Sequence, residues 1–139
     1  IGGEIRCKGM NKEKQSNWMV GIDKPNFDGS QSVIKAINLI DGAMATSGTY
    51  RKFKLDAEGN RYAHIIDTET GYPSKTNVLS VSVIANDCMT ADAYATAFQA
   101  MGINKVSELL KTHPELKVFF IFENESKELE TLTLNGFPE

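Results

Sequence analysis

Apolar residues along this chain recur mostly at every second position, and the spacing turns helical only past residue 89. Over 1–8, Ile5 and Cys7 alternate with Glu4 and Arg6, the pattern of a half-buried strand. Trp18 to Ile22 is a second apolar run, closed by Asp23, Lys24 and Pro25, and is expected to pair with the first as a hairpin across the polar connection 9–17. Val33 to Ile40 is a third run, ended by the turn pair Asp41 and Gly42. Residues 51–55 and 61–67 alternate about the turn 56–60, which predicts a second hairpin. Asn77 to Ala85 is the most continuous run, carrying Val78, Leu79, Val81, Val83 and Ile84, and belongs at the centre of a sheet.

A helix is expected from Thr90, or from Asp87 as the alternative N-cap, to Gly102 at its C-terminal boundary. A second helix, 104–112, places Val106, Leu109 and Leu110 on one face and stops before His113 and Pro114. Strands over 116–123 and 128–134 close the chain about a turn at Asn124, Glu125 and Ser126. This order predicts the α+β class, with a largely antiparallel sheet of about six to eight strands and two helices packed on it.

At 139 residues, with 41% hydrophobic and 24% charged, the chain fits a single domain, 1–139. Its formal charge of -3 arises from interspersed residues without a Lys/Arg run, which argues against a nucleic-acid partner. No apolar stretch approaches the length of a bilayer crossing, and no charged-then-apolar leader opens the sequence. A start at Ile1, inside what reads as structure, is expected of a fragment or a processed product. Cys7 and Cys88 are too few and too far apart for a zinc motif or a disulfide framework, so two free thiols are expected.

Candidate chemistry gathers around the first helix. Asp92 and Thr96 stand four apart, so both oxygens lie on one helical face and can address one ion or ligand. A carboxylate near a helix start also has a purely structural reading, since it meets the positive end of the helix dipole. His64 falls where the second hairpin runs into the connection 68–76, the kind of segment that commonly carries sites. Neighbouring Asp67 could hold it by a hydrogen bond. His113 reads as exposed and idle.

Residues 43–50 are small and hydroxylated, which leaves backbone amides and the Thr46 and Ser47 hydroxyls open to a phosphate or a flat ring. A tight turn under a helix explains the same letters. Gly2 and Gly3 permit a ligand against the backbone, or a flexible turn.

Three segments together, A-T-S-G-T-Y-R-K-F at 45–53, R-Y-A-H-I-I-D-T-E-T-G-Y-P at 61–73 and S-V-I-A-N-D-C-M-T-A-D-A-Y-A-T-A at 82–97, resemble the ApbE family of FAD:protein FMN transferases. The opening I-G-G-E-I-R is similar to the family's glycine pair. The resemblance covers nearly the whole chain and implies the C-terminal part of an ApbE-like domain. It implies an enzyme with Mg2+ as cofactor and FAD as substrate, which cleaves the FAD pyrophosphate, attaches FMN by a phosphoester bond to a threonine of a partner protein, and releases AMP. Some members mainly hydrolyse FAD to FMN and AMP, and a non-catalytic flavin- or partner-binding fragment is a third reading.

On matching positions, Asp92 and Thr96 would ligate the metal with the Ala95 carbonyl nearby. His64 would be the catalytic residue, and Ile66 would contact the flavin nucleotide through its backbone. Gly2, Gly3, Thr46, Ser47 and Gly48 complete the candidate cofactor contacts. The chain departs from the family's usual pattern at Thr68, where proline follows H-I-I-D, and at Thr49, often an aspartate. The family's earlier half, with a G-A-I-A-K-G-like segment that contributes metal and flavin contacts, does not occur in this sequence. The resemblance further implies the bacterial periplasm, or the outer face of the cytoplasmic membrane through a lipoprotein anchor on the parent chain. FAD and an acceptor protein are the expected partners, and a homodimer stays open.

Overall fold

The β-branched run that reads as a sheet centre is one. In a computed structural model that describes residues 3–50, 53–55, 57–59 and 61–139, it forms β7 (Val78–Ala85) in the middle of a five-stranded antiparallel sheet. Its neighbours are β4 (Ala43–Gly48) and β8 (Lys117–Glu123), with β1 (Ile5–Arg6) and β9 (Leu129–Leu134) at the edges. Two further strand pairs stand outside this sheet, β2 (Trp18–Asp23) with β3 (Val33–Leu39) and β5 (Phe53–Leu55) with β6 (Arg61–Ala63). The α+β class and the antiparallel pairing hold, with the strands divided among three sheets rather than gathered in one.

The expected first hairpin does not form. β1 pairs with β4, Ile5 opposite Met44 and Arg6 opposite Ala43, while β2 finds β3 in the register Val20 to Ile37. Local alternation identifies strands but leaves their partners open, and here tertiary burial selects them. The β2–β3 pair covers one face of the sheet, burying Val20, Ile22, Ile37 and Leu39 against Met44, Ile84, Phe119 and Ile121. Residues 43–50, with a turn as one reading, are mostly strand β4, because Ala43, Met44 and Ala45 are buried between the layers.

The opposite face carries α1 (Cys88–Leu109), continued by a short 3-10 helix (Leu110–Thr112). Ala91, Ala95 and Phe98, each 0% exposed, pack on Ala45, Val81 and Val83. Alanines on this stripe let the helix lie close to the sheet, and a fully buried Phe or Val contributes about 1.5–3 kcal/mol. The two expected helices follow one another within this range, divided at Gly102, whose φ of 77° and ψ of 168° lie outside helical backbone. That dihedral favours glycine, and a Cβ there would stand 3.2 Å from Thr76 Cγ2.

Asp87, not Thr90, caps the helix: its Oδ1 accepts from the Thr90 amide at 2.8 Å and its Oδ2 from the Thr90 hydroxyl at 2.9 Å. These two bonds, in that order, hold the Asp87 carboxyl below its ordinary pKa. The first turn then contains no acid, so Asp92 lies beyond the reach of the helix-start argument. His113 is not idle, since its Nδ1 lies 3.1 Å from the Leu109 carbonyl at the helix end. Both cysteines are free thiols, Cys7 buried and pushed up in pKa by that burial. No helix among the described residues is long and apolar enough to cross a membrane.

Candidate functional site

Because Ala91 and Ala95 face the sheet, the neighbouring stripe of α1 projects past its edge. That stripe is Asp92, Thr96 and Ala100, at intervals of four, and all three line one cleft of about 940 Å3. The opposite side of the stripe is the end of β4. β1 pairs only with Ala43 and Met44, so from Thr46 to Gly48 the outer edge of β4 opens on the cleft. An open strand edge presents backbone amides and carbonyls to whatever lies beside it.

Hydroxyls knit these elements together. Ser47 Oγ lies 3.1 Å from Thr96 Oγ1, joining β4 to α1, and Thr46 Oγ1 lies 2.7 Å from Ser82 Oγ across the β4–β7 pair. Gly48 has a steric reason of its own: a Cβ there would meet the Tyr50 ring at 2.9 Å and the Leu79 carbonyl at 3.2 Å. Asp92 and Thr96 are both exposed, with the Thr96 hydroxyl shared with Ser47.

The third wall is the segment after β6. His64 follows the strand directly and is exposed on the same cleft, with Ile65, Ile66 and Thr68. Ile66 forms an isolated antiparallel bridge with Pro73, flanked by bonds from the Asp67 amide to Tyr72 O and from the Ser74 amide to Ile65 O, both 2.9 Å. In such a pair the flanking residues make the ladder bonds, so the amide and carbonyl of Ile66 point away from Pro73. Asp67, a candidate partner for His64, instead accepts through Oδ1 from the Glu69 amide at 2.8 Å and the Thr70 amide at 3.3 Å.

Gly3, Thr46, Ser47, Gly48, His64, Ile66, Asp92 and Thr96 therefore line one cleft. Gly2 lies outside the described residues. The Ala95 side chain is buried in the core, so only its carbonyl remains as a donor. Sequence reasoning missed Asp23 and Tyr50 on the cleft wall. Asp23 looked like a turn residue closing a strand, and the one available signal for Tyr50 was an aromatic ring set among small residues.

Magnesium is a hard ion that takes oxygen ligands, keeps waters and shares its sphere with substrate phosphates. One carboxylate and two hydroxyls, from Asp92, Thr96 and Ser47, are a donor set of that character and fit it as a partial site. Among the described residues no group of three His, Cys, Asp or Glu side chains gathers to form a fuller one.

Residues 1–120 match the ApbE family. The chain is 47% identical over 102 residues to a FAD:protein FMN transferase of Vibrio cholerae, covering 73% of this chain and 30% of that protein. It is 38% identical over 126 residues to one of Haemophilus influenzae, covering 91% and 36%. Among solved structures, the flavin transferase ApbE from Vibrio cholerae superposes with a TM-score of 0.78 at 35% identity, covering 96% of this chain and 40% of that one. An ApbE protein from Thermotoga maritima gives 0.72 at 34% identity, covering 93% and 40%. The chain thus spans about a third of the length of the curated relatives it matches. On the family match and these likenesses together, it belongs to the ApbE family.

Proposed function

We propose that this chain carries one side of the active site of a magnesium-dependent FAD:protein FMN transferase. The observation behind this reading is the meeting of Asp92, Thr96, Ser47 and His64 on one cleft in a chain of the ApbE family. Asp92 and Thr96 would hold the metal, with the Ala95 carbonyl as a further donor. When bound, the ion would neutralise charge on the FAD diphosphate.

The remaining work falls to the chain's own groups. The backbone of Ile66 and the open edge of β4 orient the nucleotide. His64 accepts the proton of an acceptor threonine hydroxyl as its oxygen forms a bond to the FMN phosphorus. The bond between that phosphorus and the AMP oxygen breaks, so FAD and the protein hydroxyl give the FMN phosphoester, AMP and one proton. Water in place of the hydroxyl would give FMN and AMP.

The test incubates the protein at its full natural length with FAD and Mg2+, with and without a threonine-bearing acceptor. Flavinylated acceptor and AMP are expected, and free FMN as the sole flavin product would make it a hydrolase. Asp92→Ala should reduce metal-dependent turnover by about 100-fold or more without lowering the unfolding temperature. Unaltered turnover in that variant would overturn the metal assignment.

A further inference from the structure

The first stretch of α1 stops at Gly102, and a helix end leaves the carbonyls of its last turn without amide partners from a following turn. Two hydroxyls from the connection that follows His64 supply donors there. Ser74 Oγ donates to the Ala100 carbonyl at 2.8 Å, and Thr76 Oγ1 donates to the Gln99 carbonyl at 3.2 Å. The missing Cβ at Gly102 is what leaves Thr76 its place beside the break. On the far side of the break, Lys105 Nζ lies 3.6 Å from Glu69 Oε1 of the same connection, an exposed pair worth little by itself.

Ser74 carries a second bond. Its amide donates to the carbonyl of Ile65, the residue next to His64, at 2.9 Å. The acceptor of its hydroxyl, Ala100, continues the helical stripe of Asp92 and Thr96 and lines the cleft with them. One residue therefore bonds through its backbone to the imidazole's neighbour and through its side chain to the stripe on the other wall. The hydroxyl is half-buried, where a hydrogen bond is stronger than in open water, and its angular preference fixes direction as an apolar contact does not.

Resting on the transferase reading for the role of His64, we propose that Ser74 is a positioning residue. It ties the His64 segment to α1 and so sets the separation between the imidazole and the Asp92 and Thr96 oxygens. Thr76, two residues further on, holds the adjacent carbonyl and keeps the connection against the Gly102 break. Proton acceptance at one wall must meet a phosphoryl group held at the other, and a misplacement of about 1 Å costs about 100-fold in rate. Ser74 does not line the cleft, so it acts through His64.

The experiment compares the full-length protein with Ser74→Ala, Ser74→Thr, His64→Ala and the Ser74→Ala, His64→Ala double variant, using FAD, Mg2+ and a threonine-bearing acceptor. Ser74→Ala should lower kcat by about 10- to 100-fold, and Ser74→Thr, which keeps the hydroxyl, should recover most of the loss. Added to His64→Ala, Ser74→Ala should cost less than about 2-fold more, because the group it positions is gone. Mn2+ affinity should match the unaltered protein, since the core holds the helix that carries Asp92 and Thr96. Hydrogen exchange reads the tie without turnover: amides 65–72 should exchange about 10-fold or more faster in Ser74→Ala, while amides 91–98 keep their rates. Should Ser74→Ala fail to fold, Ser74→Cys keeps the volume with only a weak donor and is read in the same way.

A full, additive loss on the His64→Ala background would overturn the proposal and leave Ser74 a helix cap. So would unchanged exchange at 65–72, or a fall in Mn2+ affinity that matches the fall in kcat. Faster exchange at 65–72 in a protein that makes no flavinylated acceptor would keep the tie between the walls and sink the transferase reading, so the two failures are distinct.

Discussion

Two of the cleft's walls are held by different forces. Asp92 and Thr96 stand on a helix whose inner stripe, Ala91, Ala95 and Phe98, is 0% exposed and locked into the core. His64 and Ile66 stand on a segment held by a few hydrogen bonds, from the Glu69 and Thr70 amides to the Asp67 side chain, across the bridge to Pro73, and from the Ser74 hydroxyl to the Ala100 carbonyl of α1. Core packing fixes a side chain to within a rotamer, whereas a loop held by local turns opens at far lower cost. The helix wall is thus the more rigid of the two and the His64 segment the more adjustable.

His64→Ala tests whether the walls are independent. It should lower turnover by about 100- to 10,000-fold while metal affinity and unfolding temperature stay put. A parallel loss of metal affinity, followed by Mn2+ titration, would show that the two walls act as one.

Phe98→Ala attacks the rigid wall from beneath and should cost about 3–5 kcal/mol in denaturant unfolding. A smaller loss would mean that the helix is less tightly anchored than its burial suggests. Gly48→Ala asks whether the β4 end belongs to the rigid side: overpacking against Tyr50 should cost about 1–3 kcal/mol. Stability indistinguishable from the unaltered chain would show that the Tyr50 ring swings clear.

The smallest effect concerns the helix cap. The Asp87 carboxyl has a folded-state pKa below its unfolded value, so its charge stabilises the fold above the ordinary carboxylate range and that help fades as pH falls through the folded pKa. Asp87→Asn keeps a capping oxygen and removes the titration. The stability difference between the two proteins should be present at neutral pH and shrink in acid, and a difference that grows on acidification would reverse the sign.

Individual elements were readable wherever a local rule applied. The β-branched run of β7, the i, i+4 pair Asp92 and Thr96, the break at Gly102 and the His64 strand end all follow from period, propensity or backbone freedom among near neighbours. The resemblance of the three ordered motifs to the ApbE family needed no coordinates either. Asp87 as the cap was open in the letters, because Thr90 also carries a capping oxygen, and only the bond directions decided between them.

What the letters alone could not decide was which distant segments meet. β1 passes over β2 to pair with β4, Ser47 reaches Thr96 across 49 positions, and Gln99 reaches Val78 across 21. Each contact depends on the helix and the β2–β3 pair closing on opposite faces of the sheet. The sequence therefore settled the strands and the helix stripe. The tertiary structure decided the cleft, because burial is shared among segments far apart in the chain and no local pattern records its partner.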